Sequence, residues 1–373
     1  EITIGDWSSD VCSSDLSGPI MATIAVFRSS MMKPSLCRFA STVNSAIFQK
    51  YGNPANVLRM QKTRLPDVSS KDVQIRMLAS PVTSFDVDTI YGRNPLGFCF
   101  PAVAGSEGVG LVEKVGEGVT SINPKDTVML IKPFQGTWSE QVVVSEDKVI
   151  PAPQGVDLEI VSAMMNSAGI AYRLLADFAE LKPGDFVLQN DASSPVGMAV
   201  IQLCKKRGIK TINIVKDVGE YSEMFRRLES IGGDVIVRES QVSGTDFKKI
   251  MADLPAPKLA LNGRGGEVMT NTCRLMKDAT VVTYNESSYE PFQLAASYLM
   301  SNNLCLKGFN MNAWLNAATK SDVSKMVEDL AAMVRADDLR LFLKKDKFSQ
   351  VADAVDAASS PVADRTPVML MDQ

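Results

Sequence analysis

The chain has 373 residues, 45% of them apolar and 22% charged, so it is long enough for two domains and too apolar for wholesale disorder. Its formal net charge of −4 argues against a broad nucleic-acid-binding surface, and no apolar run reaches the ~18 residues that a membrane span requires. The sequence contains no histidine, which excludes a Ser-His-Asp triad, a Cys-His dyad, a His-ligated zinc and a histidine general base.

The cysteines are dispersed rather than clustered. No two of them form a CxxC pair, and they stand at Cys12, Cys37, Cys99, Cys204, Cys273 and Cys305. A disulfide framework or a zinc cluster needs closer and more regular spacing. We therefore expect reduced, mostly buried thiols and no metal cofactor.

The first 40 residues are expected to lie outside the folded body. Residues 5–16 (GDWSSDVCSSDL) resemble a translated sequencing-library adapter, so residues 1–20 are interpreted as an artefact or a disordered Ser-rich tail. Residues 21–66 carry seven lysines or arginines, several serines and no acidic residue. This composition is typical of a mitochondrial transit peptide, which we predict over residues 21–40, with cleavage near Ala40 and the mature protein in the mitochondrial matrix. A basic disordered arm is the alternative.

Short β-like segments dominate residues 43–160. Apolar and polar residues alternate over residues 73–77 and 109–115, and apolar segments follow at residues 128–131 and 141–144. Glycine, proline and aspartate separate these segments. Evenly spaced short strands with turn residues between them predict a barrel-like β domain.

From about Asp157 the pattern changes to alternating helices and strands. We predict a helix over residues 160–179, a first strand over residues 186–189 and a last strand over residues 304–309. Such alternation predicts right-handed crossovers and a doubly wound parallel sheet, and so an α/β fold. After a further long helix, the apolar residues 367–370 predict a strand that returns to the first domain.

The first strand-to-helix turn of this sheet is where a dinucleotide fold places its glycine-rich phosphate loop. Here the turn contains Gly197 but has Pro195 just before it, and proline has no backbone N–H for a phosphate. The hydroxyls of Ser193 and Ser194 compensate in part for that lost donor. Gly197 also suits close packing of the helix on the strand.

The second strand of the sheet ends at Lys216 and Asp217. An acidic residue at this position favours the ribose 2′-hydroxyl of NAD, and a basic residue favours the 2′-phosphate of NADP. Lys216 therefore indicates NADP, unless it is an ordinary solvated lysine at a strand end.

Several motifs resemble those of the zinc-independent medium-chain dehydrogenase/reductases. Residues 105–112 (GSEGVGLV), Val115-Gly116 and residues 125–128 (KDTV) are similar to the signature of that superfamily. Within it, residues 51–55 (YGNPA) and 181–185 (LKPGD) most resemble the mitochondrial 2-enoyl-thioester reductases of fatty acid synthesis. The resemblance covers the chain from about Ala46 to its C-terminus.

This resemblance implies a GroES-like β-barrel domain over residues 43–160 and 318–373, around a Rossmann domain over residues 161–317. It implies NADPH as hydride donor to a trans-2-enoyl thioester carried by an acyl carrier protein or by CoA. It also implies a tyrosine hydroxyl that assists the reaction, and a homodimer. A chain without histidine suits this chemistry, because the cofactor supplies the hydride and one positioned hydroxyl assists.

Several positions depart from the family's pattern. The catalytic tyrosine of the family corresponds to Asn94, and Tyr91 lies three residues earlier, either as a substitute or as a packed cleft residue. Ser167-Ala168 replaces an Asn-Pro pair, Pro195 replaces a loop glycine, and Asn285-Glu286 replaces a Gly-Gly pair that approaches the cofactor. Near the C-terminus, Thr366 beside Arg365 stands where the family has a lysine. The resemblance assigns the cofactor side of the site to Ser167, Ser193, Ser194, Pro195, Val196, Lys216, Asp217, Tyr284, Asn285, Glu286, Phe309, Asn310 and Met311.

These departures leave three functions open. The first is an NADPH-dependent enoyl-thioester reductase with a degraded catalytic and cofactor site. The second is a catalytically inactive homologue that serves as a structural or acyl-carrier-binding subunit of a mitochondrial assembly. The third is a quinone-reductase-like activity on another substrate. Because function follows the site rather than the fold, the site residues decide among them.

Overall fold

The computed structural model describes residues 41–94, 99–217, 221–360 and 364–371. The predictions for the adapter-like segment and for the transit peptide lie outside these residues. None of the helices in the described ranges is long and apolar enough to cross a membrane.

A β-rich domain comes first. Its elements are β1 (Thr42–Phe48), α1 (Pro54–Val57), β2 (Leu58–Arg64), β3 (Asp72–Pro81), α2 (Ser84–Tyr91), β4 (Ala102–Val103), β5 (Gly108–Val115), β6 (Thr127–Leu130), β7 (Gln141–Ser145) and β8 (Val149–Pro151). The alternation predicted around residues 73–77 is present in β3, where Val73, Ile75 and Met77 are all buried. β3 pairs antiparallel with both β5 and β7, so its apolar face lies in the centre of the barrel core.

The segment that leads out of this domain differs from its prediction. The helix predicted over residues 160–179 is divided into α3 (Leu158–Ser162), a π-helical turn (Met165–Gly169) and α4 (Ile170–Asp177). The carboxylate of Glu107 accepts hydrogen bonds from the backbone N–H groups of Met165 and Asn166, each at 3.0 Å. These bonds come from a residue far away in the sequence, and they satisfy amides that a continuous helix would pair internally.

A parallel sheet with helices on both faces follows. Its elements are β9 (Phe186–Gln189), α5 (Pro195–Lys206), β10 (Lys210–Val215), α6 (Tyr221–Ser230), β11 (Val235–Arg238), α7 (Thr245–Asp253), β12 (Leu259–Asn262), α8 (Gly266–Leu275), β13 (Thr280–Thr283), α9 (Ala296–Ser301) and β14 (Cys305–Gly308). The strand order is β11-β10-β9-β12-β13-β14, and the paired strands are all parallel. This is the doubly wound order 3-2-1-4-5-6, which confirms the predicted fold class.

The last part of the described chain returns to the β-rich domain. It consists of α10 (Met311–Ala317), α11 (Lys320–Arg335), β15 (Leu343–Lys347), α12 (Val351–Ser359) and β16 (Thr366–Leu370). β16 pairs antiparallel with β3, with Val368 opposite Pro81, so the predicted C-terminal strand joins the first domain. The exact domain limits, at residues 160/161 and 317/318, stay predictions.

Candidate functional site

A cleft of about 400 Å³ lies between α2 of the β-rich domain and the carboxyl ends of the parallel strands. The strand order reverses between β9 and β12, and such a switch point is where doubly wound sheets bind ligands. Eight residues predicted for the site line this cleft: Tyr91, Ser167, Ser194, Pro195, Val196, Lys216, Tyr284 and Asn285.

Helix α5 begins at the floor of the cleft, and few backbone N–H groups of its first turn are free to donate to a ligand. Ser194 is its N-cap and accepts a 3.1 Å hydrogen bond from the backbone N–H of Gly197. Pro195 occupies the first helical position, where its ring suits the helix but supplies no N–H. A Cβ built at Gly197 would lie 2.7 Å from the Cα of Ala192, so this glycine is required for close packing, as predicted.

A buried ion pair lies beside the start of α5. The Nζ of Lys216 is 2.9 Å from Oδ1 of Asp191, and the two side chains are only 17% and 4% exposed. Ser287 donates a 3.2 Å hydrogen bond to the other carboxylate oxygen of Asp191. The cation predicted for a 2′-phosphate is therefore already paired. Sequence reasoning missed Asp191, although a carboxylate in the expected phosphate loop was a visible signal.

A second ion pair lies further along the same edge of the sheet. Arg264, which lines the cleft, has its Nε 3.0 Å from Oε1 of Glu239. Burial raises the pKa of Glu239, and nearby Asp191 raises it further, although Arg264 opposes both effects. Asp217 is not among the cleft residues; its exposed carboxylate accepts hydrogen bonds from the backbone N–H (2.6 Å) and hydroxyl (2.9 Å) of Ser240.

The segment after β13 supplies the opposite side of the cleft. A Cβ built at Gly263 would lie 2.4 Å from the hydroxyl oxygen of Tyr284, so only glycine allows the tyrosine to lie there. Burial strongly raises the pKa of Tyr284, the charge of Asp191 adds to the shift, and Ser194 opposes it. Glu286 is exposed and does not line the cleft; its Cγ lies 3.1 Å from where a Cβ of Gly265 would be.

Asn94, predicted at the catalytic position, faces α2 rather than the cleft. Its side-chain amide donates to Oγ1 of Thr89 at 2.8 Å and to the carbonyl oxygen of Phe85 at 3.3 Å. Tyr91 does line the cleft, and the guanidinium of Arg93 lies 4.2 Å from the centre of its ring. The structure therefore brings Tyr91, and not Asn94, to the cleft wall.

The π-helical turn carries Asn166 and Ser167 to the cleft wall. Glu107 holds this turn, because its carboxylate also accepts a hydrogen bond from the side-chain amide of Asn166. Burial raises the pKa of Glu107 to about 8, although the hydrogen bonds from Asn166 and Met165 favour the ionised form. The hydroxyl of Ser167 donates to the carbonyl oxygen of Ala163 at 2.6 Å, so it is engaged within its own turn.

The remaining predicted residues have local structural contacts. Phe309 packs edge-on against Phe178, with ring centres 5.9 Å apart. Asn310 is the N-cap of α10 and accepts a 3.0 Å hydrogen bond from the backbone N–H of Ala313. Met311 is buried at the start of α10, and Ser193 is buried in the turn before α5. None of these predicted residues is among those that line the cleft.

The described residues fit a phosphorylated dinucleotide only in part. The cleft has the right position, and Lys216 stands at the strand end that reads the 2′ position of the ribose. However, Lys216 is paired with a buried carboxylate, Arg264 is paired with Glu239, and the first position of α5 has no N–H. Within the described ranges, no group of three or more cysteine, aspartate or glutamate residues could hold a metal ion.

Comparisons with known proteins agree with this architecture. The alcohol dehydrogenase GroES-like domain matches residues 69–154. The mitochondrial enoyl-acyl-carrier-protein reductase of Dictyostelium discoideum is 37% identical over 324 residues, which cover 86% of this chain and 93% of the relative. The enzyme of the same name from Xenopus tropicalis is 35% identical, over 78% of this chain and 84% of the relative.

Solved structures show the same fold. A complex described as Etr1p with NADP and crotonyl-CoA has a TM-score of 0.79 at 23% identity and covers 88% of this chain and 100% of its own. The Etr1p/Etr2p heterodimer of the mitochondrial 2-enoyl thioester reductase from Candida tropicalis has a TM-score of 0.79 at 22% identity, with the same coverage.

A GroES-like domain joined to a parallel sheet of order 3-2-1-4-5-6 defines a medium-chain dehydrogenase/reductase. Within this superfamily, the identity and coverage of the relatives are decisive. The chain belongs to the family of mitochondrial enoyl-acyl-carrier-protein reductases.

Proposed function

We propose that this chain is an enoyl-thioester reductase homologue in which NADPH-dependent reduction of trans-2-enoyl thioesters is strongly reduced or lost. The thioester is carried by CoA or by an acyl carrier protein. The observation that carries this proposal is the orientation of Asn94, whose amide donates to Thr89 and Phe85 of α2. The position that the resemblance assigns to a proton-donating hydroxyl thus contributes to the end of a helix instead.

The cofactor side of the cleft supports the same proposal. A phosphate that approaches α5 finds no N–H at Pro195 and meets the carboxylate of Asp191. A lost hydrogen bond to a charged group costs roughly 1.5–3 kcal/mol, and each ~1.4 kcal/mol weakens binding about tenfold. The lost bond alone weakens binding by about tenfold to ~150-fold, and repulsion from Asp191 adds to this loss. We therefore expect NADPH to bind more than ~100-fold more weakly than to a relative without these changes.

A second candidate function is a binding subunit of a mitochondrial assembly that holds an acyl thioester without reducing it. Arg365 lines the cleft and is exposed, and a cation suits the phosphates of CoA and of the acyl-carrier prosthetic group. The cleft itself persists, at about 400 Å³. Binding of the thioester therefore does not require that catalysis has survived.

We also infer a homodimer in the mitochondrial matrix. Relatives carry the word mitochondrial in their names, and one solved structure with the same fold is described as the Etr1p/Etr2p heterodimer. Within the described ranges, β14 is an edge strand that pairs with β13, and its four residues are exposed. Leu306 on this edge and Met300 in α9 are 42% and 78% exposed, which suits burial against a second copy.

One assay separates the two candidate functions. NADPH oxidation with crotonyl-CoA is measured beside the Dictyostelium discoideum relative, and crotonyl-CoA binding without NADPH is measured by calorimetry. We expect turnover at least ~10³-fold below that of the relative, because positioned proton transfer alone contributes roughly 10²–10⁴-fold. Micromolar crotonyl-CoA binding without turnover favours the binding subunit. Turnover close to that of the relative contradicts both candidates.

A further inference from the structure

We propose that Asp191 sets the cofactor discrimination of this cleft by holding Lys216 away from the 2′-phosphate of NADPH. A single neutral substitution at Asp191 should then create a preference for 2′-phosphorylated nucleotides that the present chain lacks. This inference rests on the proposed function only in that it takes the cleft as a dinucleotide site.

The geometry makes the ion pair a persistent feature of the cleft. The Nζ of Lys216 lies 2.9 Å from Oδ1 of Asp191, and the carboxylate side chain is 4% exposed. Charges that are shielded from water attract each other more strongly than charges on the surface, so salt and solvent screen this pair poorly. A nucleotide phosphate must therefore compete with a carboxylate that is already in contact with the lysine.

The sheet topology explains why these two residues meet. β9 and β10 are parallel neighbours, with Gln189 opposite Asn213. Asp191 follows the end of β9 by two residues, and Lys216 follows the end of β10 by one. In dinucleotide folds, the residue at the carboxyl end of the second strand contacts the 2′ substituent of the ribose. Asp191 therefore pairs with the lysine that stands at this strand end.

The carboxylate has two separable effects on a bound nucleotide. It lies in the strand-to-helix turn that the phosphates approach, so it repels the pyrophosphate of NADH and of NADPH alike. It also occupies Lys216, which affects only a ligand with a 2′-phosphate. Removal of the charge should therefore tighten both cofactors, but NADPH considerably more than NADH.

The neighbouring cation does not substitute for Lys216. Arg264 has its own carboxylate partner in Glu239, with Nε and Oε1 3.0 Å apart. The Glu239→Gln variant is therefore a matched control, because it removes one negative charge from the adjacent ion pair. It removes no atom of the pair between Asp191 and Lys216, and it only changes the charge that Glu239 presents to both of them.

The Asp191→Asn variant is suited to the backbone at this position. Asp191 has a φ of 58°, in the left-handed region that asparagine tolerates better than other non-glycine residues. Asparagine also keeps an oxygen that can accept the hydrogen bond from Ser287. Thermal unfolding of each variant, followed by circular dichroism, verifies that the fold is retained.

The test is calorimetric titration of the full chain with 2′,5′-ADP, 5′-AMP, NADPH and NADH. Against wild type, Asp191→Asn should tighten 2′,5′-ADP and NADPH by about tenfold or more, and 5′-AMP and NADH by less than about threefold. The double variant Asp191→Asn/Lys216→Met should lose this selective gain. Glu239→Gln, which leaves Lys216 paired with Asp191, should change the ratio of 2′,5′-ADP to 5′-AMP affinity much less than Asp191→Asn does.

Two results would overturn the inference: an unchanged ratio in Asp191→Asn, or a selective gain that persists when Lys216 is methionine. The proposed function is judged by different quantities, the absolute NADPH affinity and the turnover of the wild-type chain. A wild-type chain that binds NADPH tightly contradicts the proposed function. The ratio between the two nucleotides still decides the role of Asp191.

Discussion

The hydroxyl of Tyr289 donates a 2.8 Å hydrogen bond to Oδ1 of Asp88. Tyr289 follows β13 on the parallel-sheet side of the cleft, whereas Asp88 lies in α2 on the β-rich side. Arg93 joins the same contact: its Nη1 is 2.8 Å from Oδ1 of Asp88, and its guanidinium lies 3.8 Å from the centre of the Tyr289 ring. These three residues, which we call the clasp, connect the two walls of the cleft.

The clasp predicts a specific effect of Tyr289→Phe. The variant removes the hydrogen bond but keeps the ring beside Arg93. Because Tyr289 is 54% exposed, we expect a loss of unfolding free energy of about 0.5–1 kcal/mol, and faster amide exchange in residues 284–295. Burial and the bond to Asp88 raise the pKa of Tyr289 to about 12, so the clasp should persist across neutral pH.

Hydrogen–deuterium exchange with mass spectrometry measures the local effect, and urea unfolding measures the global one. Tyr221→Phe is the control, because the Tyr221 hydroxyl reaches Asp217 at 3.4 Å within the parallel-sheet domain. Equal exchange of residues 284–295 in Tyr289→Phe and in wild type would show that the clasp does not restrain this segment.

Glu107 predicts a pH dependence of stability. Burial raises its pKa from an ordinary value of 4.5 to about 8. Between these pH values the folded chain holds a proton that the unfolded chain releases. The contribution of Glu107 to stability should therefore fall as pH rises from about 4.5 to about 8. Asp86 is also buried with a raised pKa, so it adds a slope of the same sign.

The measurement is urea unfolding of wild type, Glu107→Gln and Glu159→Gln at several pH values between 5 and 8. Glu107→Gln should be less stable at every pH, because its amide nitrogen cannot accept the bonds from Met165 and Asn166. Its slope against pH should nevertheless be smaller than that of wild type. The hydrogen bond from Lys345 lowers the pKa of Glu159 below its ordinary 4.5, so this carboxylate is ionised at every pH tested. Glu159→Gln should therefore leave the slope unchanged. Identical slopes in all three proteins would contradict the assignment to Glu107.

Local sequence pattern was sufficient for the parallel sheet. β9 was predicted at its observed limits, Phe186–Gln189. The turn before it depends on neighbouring residues: Gly184 has a φ of 89°, and Asp185 accepts a 2.7 Å hydrogen bond from the N–H of Lys182. Such features depend on neighbours in the sequence, which a pattern records.

Contacts between distant segments could not be predicted in the same way. The break after α3 depends on Glu107, which lies 58 residues before Met165 in the sequence. The ion pair between Asp191 and Lys216 depends on the neighbouring positions of β9 and β10. The resemblance to a family drew attention to Asn94 and Glu286. Neither of these two residues lines the cleft; Tyr91, which was also predicted, does, together with Asp191, which was not predicted.

The described cysteines predict a simple labelling pattern. Cys204 and Cys273 are buried, and burial raises the pKa of each thiol to about 12. Cys99 and Cys305 are exposed. Because the thiolate is the reactive form, N-ethylmaleimide should modify Cys99 in the folded protein and reach Cys204 and Cys273 only after unfolding. Cys305 lies on the β14 edge, so a homodimer formed through that edge should slow its labelling. Peptide mapping by mass spectrometry checks this, and rapid native labelling of Cys204 would contradict it.

The basic, acid-free N-terminal composition predicts processing on import. The protein should be recovered from isolated mitochondria as a chain that begins near Ala40. N-terminal sequencing of that protein is the measurement. A chain deleted before Ala40 should fail to enter mitochondria, because it lacks the basic, acid-free segment interpreted as the import signal. Recovery of an intact Met21 start, or of the full-length chain in the cytosol, would contradict this prediction.

The contacts of Asn94 predict how reductase activity responds when the residues of the family pattern are restored. Asn94→Tyr alone should restore little, because it removes the amide bonds to Thr89 and Phe85 and leaves the cofactor side unchanged. Asn94→Tyr combined with Pro195→Gly and Asp191→Asn should recover more, since the proton donor and the cofactor must act together. Adding Glu286→Gly should matter less, because Glu286 is exposed and outside the cleft lining.

NADPH oxidation with crotonyl-CoA measures these variants, and Tyr91→Phe identifies the source of any residual activity. Tyr91 lies at the cleft wall beside Arg93, whose positive charge is 4.2 Å from the ring centre. If Tyr91 has taken over as proton donor, Tyr91→Phe should lower the residual rate by roughly 10²-fold or more, with little change in crotonyl-CoA affinity. If it only packs there, the rate should be nearly unchanged. Wild-type turnover near that of the Dictyostelium discoideum relative, abolished by Tyr91→Phe, would contradict a lost activity, because the hydroxyl would then have moved by three residues rather than disappeared.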